Sequence, residues 1–162
     1  MDWLVYVLPQ RWLVALCDRA KRQCARVGGL NEGNQVLQIS ANMVVKRGPG
    51  VAPGEAATQR YPYEHLDPRV VRVPRVHRYL QDRTDPSWLI GYLFMENIPG
   101  QTLEEREGGD DLDAISGKIA RAVAEMWTVS GTSRPGPVGG GTLEGYLWGD
   151  NGTTRSSVPS RT

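Results

Sequence analysis

Lys46 closes a short run of apolar, mostly β-branched residues, Met43-Val44-Val45-Lys46. A strand of that composition fits a half-buried sheet, so the ammonium must reach a group that makes up for lost water. A nucleotide phosphate would serve, and so would a carboxylate. Glu55, near the start of the next helical pattern, is the carboxylate best placed to be that partner. The alternative is an edge-strand lysine with its ammonium in solvent, the commoner situation for lysine.

Other reactive side chains are few. His65 and His77 are the two histidines, too little material for histidine metal or triad chemistry. Cys17 and Cys24 are too few for a disulfide framework or a zinc site. On a helix they would stand about 10.5 Å apart along the axis. That is beyond disulfide reach, so both are expected as reduced, buried thiols. Gly149-Asp150-Asn151-Gly152 is strong turn chemistry and reads as a turn, not as a metal loop.

The bulk numbers narrow the class. A chain of 162 residues, 40% hydrophobic and 23% charged, suits one ordinary domain or a domain plus part of another. Nineteen basic against eighteen acidic residues leave a formal charge of +1. No basic excess is there to neutralise a run of phosphates, which argues against nucleic acid as partner. Trp3 to Leu8 is apolar, but Asp2 stands where a signal peptide is basic, and Pro9-Gln10-Arg11 cuts the run short. No stretch approaches the roughly 20 apolar residues of a membrane span. A soluble, cytoplasmic protein without a membrane partner is the expectation.

The elements that must position Lys46 follow from periodicity and turn chemistry. Arg11 to Arg26 carries Trp12, Leu13, Leu16, Cys17, Ala20 and Cys24 at helical spacing, an amphipathic helix. Gly28 and Gly29 end it or open the next strand. Asn31-Glu32-Gly33-Asn34 is a turn, because Asn and Gly tolerate positive φ. Gln35 to Ser40 and Met43 to Lys46 are strands, and the Ala41-Asn42 connection makes them an antiparallel hairpin. Gly54 to Leu66 reads as a helix, with Pro62 expected to kink or shorten it. Val70 to Leu80 is an extended approach and a strand, partly at an edge, and Trp88 to Met95 is a central strand. Leu103 to Glu107 is a possible short helix and Leu112 to Ser130 a longer one, with Ile115, Ile119, Val123 and Met126-Trp127 on one face. From Gly131 the chain is rich in Gly, Pro and Ser, and Asn151 to Thr162 reads as a frayed, disordered tail.

This order resembles a known family. The segments ISANMVVKRGPGVAPGEAATQRYPYEHL, VPRVHRYL, LFMENIPGQTL and VGGGTLEGYLWGD are similar to the aminoglycoside phosphotransferase family, a protein-kinase-like group, and in particular to its fungal members. The likeness covers roughly Leu13 to Asp150, and it rests on the order and spacing of the segments together. It implies an α+β fold: an N-terminal helical extension (1–26), a kinase-like N-lobe of antiparallel sheet plus one helix (27–98), and a hinge with the start of a helical C-lobe (99–150).

The resemblance also assigns roles. Lys46 would hold the α- and β-phosphates of ATP, with Glu55 paired to it. The loop around Asn31 to Asn34 would cover the phosphates. Met95 would sit at the back of the adenine pocket, with plain core packing as its other reading. The Glu96 carbonyl and the Ile98 N–H would meet the adenine edge, and Gly100 would let the chain turn. Relatives of full length would use Mg²⁺ with ATP to phosphorylate a small-molecule acceptor, whose identity this chain does not reveal. The catalytic pattern His-x-Asp-x-x-x-x-Asn and the later metal-binding aspartate are both missing, and His65 and His77 lie in the N-lobe region. No catalytic residue is therefore assigned, and phosphotransfer is not expected from this chain. A pseudokinase-like interaction module, self-associating through exposed apolar surface, is the alternative.

Overall fold

Residues 3–23, 26–29, 33–84, 89–100, 112–129 and 138 are described by the computed structural model. The elements are α1 (Leu4–Val7), α2 (Gln10–Arg22), β1 (Arg26–Gly29), β2 (Gln35–Ser40), β3 (Met43–Gly48), α3 (Pro53–His65), β4 (Val76–Asp82), β5 (Ile90–Glu96) and α4 (Leu112–Thr128). The five strands form one sheet in the order β1-β2-β3-β5-β4, and every neighbouring pair is antiparallel. The α+β class read from the sequence holds in that form.

Alternation along the strands gives the sheet two apolar faces. On one, Leu37, Met43, Val45, Leu80, Tyr92 and Phe94 pack with Val5 of α1 and with Leu13, Cys17 and Ala20 of α2. On the other, Leu93 and Val76 pack with Val51 and with Ala56 of α3. Helices therefore cover both faces. The cross-strand row Val36, Lys46, Leu93, Tyr79 puts Lys46 in line with Leu93 and Tyr79. Lys46 thus belongs to the α3 face.

The N-terminal segment differs from the single helix expected over Arg11 to Arg26. Pro9, with φ −57° and ψ 147°, separates the short α1 from α2. Only Leu13, Cys17 and Ala20 of α2 are buried, an i, i+4, i+7 stripe, while Trp12 remains 60% exposed. Adjacent residues on a helix point about 100° apart, so Trp12 and Leu13 cannot both face the sheet. Arg26 to Gly29 pairs with β2 as a strand rather than ending the helix. The segment is pinned to β4: Arg78 Nη1 donates to the carbonyls of Val5 (2.8 Å) and Leu8 (3.0 Å), and Gln10 Nε2 donates to the Gln81 carbonyl (2.8 Å).

Pro62 does not shorten α3, which continues to His65. It falls in the last turns, where the Leu66 N–H still closes onto the Pro62 carbonyl (2.9 Å), and it lies almost two turns beyond Glu55. α4 follows the expected helix as far as Thr128, Val129 lies beyond its end and Ser130 is outside the described residues, and its apolar side chains Ile119, Val123, Met126 and Trp127 are exposed. Asn31, Glu32, Cys24, the Leu103–Glu107 helix, the glycine-rich stretch after 138 and the tail at 151–162 lie outside the described residues. No helix among the described residues is long and apolar enough to cross a membrane.

Cys17 is a free, buried thiol, and burial pushes its pKa up to about 12. In the folded chain the thiol stays protonated at pH values where the unfolded chain releases its proton. The folded state therefore binds more protons between pH 9 and 12, and stability falls as pH rises through that window. Three units at 1.36 kcal/mol each put the full loss on the order of 4 kcal/mol. Urea unfolding at pH 8 and pH 10 is expected to show a loss that Cys17→Ala reduces. Equal losses in both proteins would contradict a thiol kept neutral by the fold.

Candidate functional site around Lys46

The structure brings Lys46 and Glu55 into contact, the Nζ donating to Oε1 as an ion pair. Their side chains are each 30% exposed, so a third group arriving from solvent can still reach them. Glu55 sits in the first turn of α3, where the positive end of the helix dipole favours a carboxylate. The neighbouring Arg47 points to the opposite face. There it lies 5.4 Å from the Tyr92 ring centre and 3.4 Å from Asp18 of α2. Strand alternation thus separates two adjacent cations, one structural and one beside the α3 face.

The linker between β3 and α3 decides where Glu55 ends up. Gly48 has a φ of 156°, and the Val51 N–H bonds back to its carbonyl (3.3 Å). The Val51 side chain is buried in the α3-side core. Tyr79 of β4 donates its hydroxyl to the Val51 carbonyl (3.2 Å). Gly91 of β5 lies directly beneath, since a Cβ there would come within 1.9 Å of the same carbonyl oxygen. Burial raises the Tyr79 pKa, opposed by Arg83 and assisted by the Glu55 charge, which places the phenol within electrostatic reach of the ion pair.

Asn34, expected in a loop covering phosphates, has a structural task in the fold. Its Oδ1 accepts the Gly50 N–H (3.2 Å), and its atoms fill the space above Gly48. Asn31 and Glu32 of that loop lie outside the described residues.

Met95 stands opposite Val44 and Val76, on the same face as Lys46, and its sulfur lies 3.4 Å from Gln59 Nε2 of α3. Gln59 also donates to the Pro74 carbonyl (2.9 Å). Half-buried, Met95 is a packed side chain at the rim of that face. The Glu96 carboxylate is taken by Arg72 (2.5 Å) and by the Arg75 N–H (3.3 Å). The Arg72 hydrogen bond holds its pKa below the usual carboxylate range. The Glu96 N–H bonds the Arg75 carbonyl as well (2.9 Å), so carboxylate and N–H are both committed. Glu96 faces Met43, three residues along β3 from Lys46, or about 10 Å at strand rise. Ile98 is half-buried just beyond, after Asn97, whose N–H and side chain bond the carbonyls of Asn42 and Ala41 (both 2.9 Å). The five residues therefore form a near cluster (Lys46, Glu55, with Met95 on the same face) and a separate pair at and just beyond the end of β5 (Glu96, Ile98).

His65-Leu66-Asp67 matches the first three positions of a catalytic-loop pattern, although position 72, where asparagine would stand, is arginine. The geometry makes this fragment a helix end. Asp67 accepts the Arg69 N–H (2.9 Å) and is held bidentately by the Arg69 guanidinium, which lowers its pKa. His65 stacks on Tyr61, ring centres 4.0 Å apart. Among the described residues no three His, Cys, Asp or Glu side chains gather as a metal-binding group. The sequence pattern gives Tyr79 and Gly91 no role, and marks Gln59 only as a position of the helical spacing over Gly54 to Leu66. No protein-family model matches the chain, and comparisons with curated proteins and with solved structures give no match.

Proposed function

We propose that the sheet and α3 form a nucleotide-binding, kinase-like N-lobe of aminoglycoside-phosphotransferase type, with ATP as its ligand. The Lys46–Glu55 ion pair carries this reading. In kinases a lysine on the third strand pairs with a glutamate of the following helix and holds the phosphates. Here the lysine is on β3, the glutamate on the helix that follows, and β4 and β5 come after, ending in Glu96–Ile98. The sheet order supports the reading as well, because β5 sits beside β3 and sets its end about 10 Å from Lys46. An extended nucleotide with its base at Glu96–Ile98 would reach Lys46 with its phosphates.

In this proposal Lys46 binds phosphate oxygens and Glu55 holds the lysine in one rotamer. Met95 closes the base end, and the Glu96 carbonyl and Ile98 N–H orient the base. Among the described residues no three His, Cys, Asp or Glu side chains gather as a metal site; in this reading Mg²⁺ would bind together with the nucleotide, whose phosphate charge it neutralises. Without a His-x-Asp-x-x-x-x-Asn loop the chain binds nucleotide and does not transfer phosphate. Calorimetric titration with Mg-ATP is expected to show binding that Lys46→Ala removes. Phosphate transfer to any acceptor, abolished by that variant, would overturn the non-catalytic part.

The exposed apolar face of α4 favours a second reading, an interaction module. Ile119, Val123 and Met126 are each at least 40% exposed and Trp127 is 86% exposed, and such surfaces promote association. Sedimentation equilibrium is expected to report self-association at micromolar concentration. A clean monomer would count against this reading.

A further inference from the structure

We propose that Tyr79 is a positioning residue for the ion pair, acting through the Val51 carbonyl to fix the start of α3. The inference rests on the nucleotide reading of Lys46 only for its effect on affinity. Its structural part stands on four contacts.

Tyr79 shares one cross-strand row with Leu93 and Lys46, so its ring lies on the face that α3 covers. Its hydroxyl meets the Val51 carbonyl at 3.2 Å. That carbonyl lies two residues before Pro53, the first residue of α3, and Glu55 begins the helical ladder by donating to the Ala52 carbonyl (3.1 Å). Ala52, which separates Val51 from the helix, makes no side-chain cap hydrogen bond. A helix start without a capping side chain lacks the usual means of fixing its first turn. The Tyr79 hydroxyl and the Gly91 surface replace it from outside the helix, one holding the carbonyl and the other setting its depth. Glu55 then falls on Lys46 because the linker has a single resting place.

Tyr79→Phe removes the hydroxyl and keeps the ring in the core. Amide exchange at Glu55 and Ala56 is expected to quicken about five-fold, the size of one lost neutral hydrogen bond. Amides of β3 and β5 should remain unchanged. Mg-ATP dissociation constants should rise about as much in the wild-type background and less than two-fold in the Glu55→Gln background. A merely structural loss would weaken binding equally in both. Unchanged exchange at the start of α3 overturns the proposal, and so does an equal affinity loss with and without Glu55. If wild-type protein fails to bind Mg-ATP while exchange still responds, the nucleotide reading falls and the positioning role stands.

Discussion

Lys46→Ala is expected to raise the Mg-ATP dissociation constant by at least about thirtyfold while leaving the fold intact. Truncating one partner of a hydrogen-bonded charge pair in a binding site costs about 2–5 kcal/mol, and about 2 kcal/mol already corresponds to thirtyfold. Two losses combine. The phosphates lose their cation, and Glu55 becomes an unpaired negative charge facing them. Stability should change far less. Glu55 is 30% exposed and stands at a helix N-terminus, so water and the helix dipole both stabilise the charge left behind. A loss near 1 kcal/mol is expected, as for a partly exposed ion pair. Lys46→Arg is not a rescue, since a planar fork replaces a compact ammonium in a space set by α3. Calorimetry together with urea unfolding separates the two effects. Affinity within threefold of wild type would remove Lys46 from the ligand.

Much of this site was legible because its parts are local. Gln35–Ser40 lies between the turn residues Asn31-Glu32-Gly33-Asn34 and Ala41-Asn42 of the sequence, and β2 occupies those residues. Met43-Val44-Val45-Lys46 reads as a strand, and strand alternation alone sends Lys46 and Arg47 to opposite faces. Glu55 as partner followed from its place in the next helix.

What was illegible depends on contacts distant in sequence. Gly28 and Gly29 read locally either as a helix stop or as the opening of a strand, and the strand wins because β2 offers it a ladder. β3 runs to Gly48 because Gly91 of β5 pairs with it, although Gly48-Pro49-Gly50 looks like a stop. Tyr79 belongs to no local pattern, and Gln59 reads locally only as one position of the helical spacing over Gly54 to Leu66. Their importance lies in two carbonyls, of Val51 and Pro74, that come near only after folding. In the Trp88–Met95 run, Gly91 passed as an ordinary strand residue within an apolar stretch, and its missing side chain proves to be what the linker needs.

That reading of Gly91 makes the second large prediction. Gly91→Ala places a Cβ 1.9 Å from the Val51 carbonyl oxygen and 2.8 Å from its carbon. Both are backbone atoms and cannot rotate away, so either β5 or the linker must move. Moving β5 breaks its pairing with Gly48 and Gln81 at the same position. Lifting the linker pulls Val51 out of the core, parts it from Tyr79 and carries Glu55 away from Lys46. Overpacking of this kind costs about 3 kcal/mol. Restricting the unfolded chain returns no more than about 1 kcal/mol, so the variant remains clearly destabilised. Gly28→Ala is the matched control, because its Cβ would meet only Val36 Cβ at 3.9 Å, an ordinary contact. Urea unfolding should therefore lower the stability of the Gly91 variant by about 2–3 kcal/mol and leave the Gly28 variant within about 0.5 kcal/mol. If the linker is what yields, the folded fraction of Gly91→Ala will also bind Mg-ATP more weakly. Equal stability of the two variants would show that Val51 does not rest on β5, and that Glu55 is placed by other means.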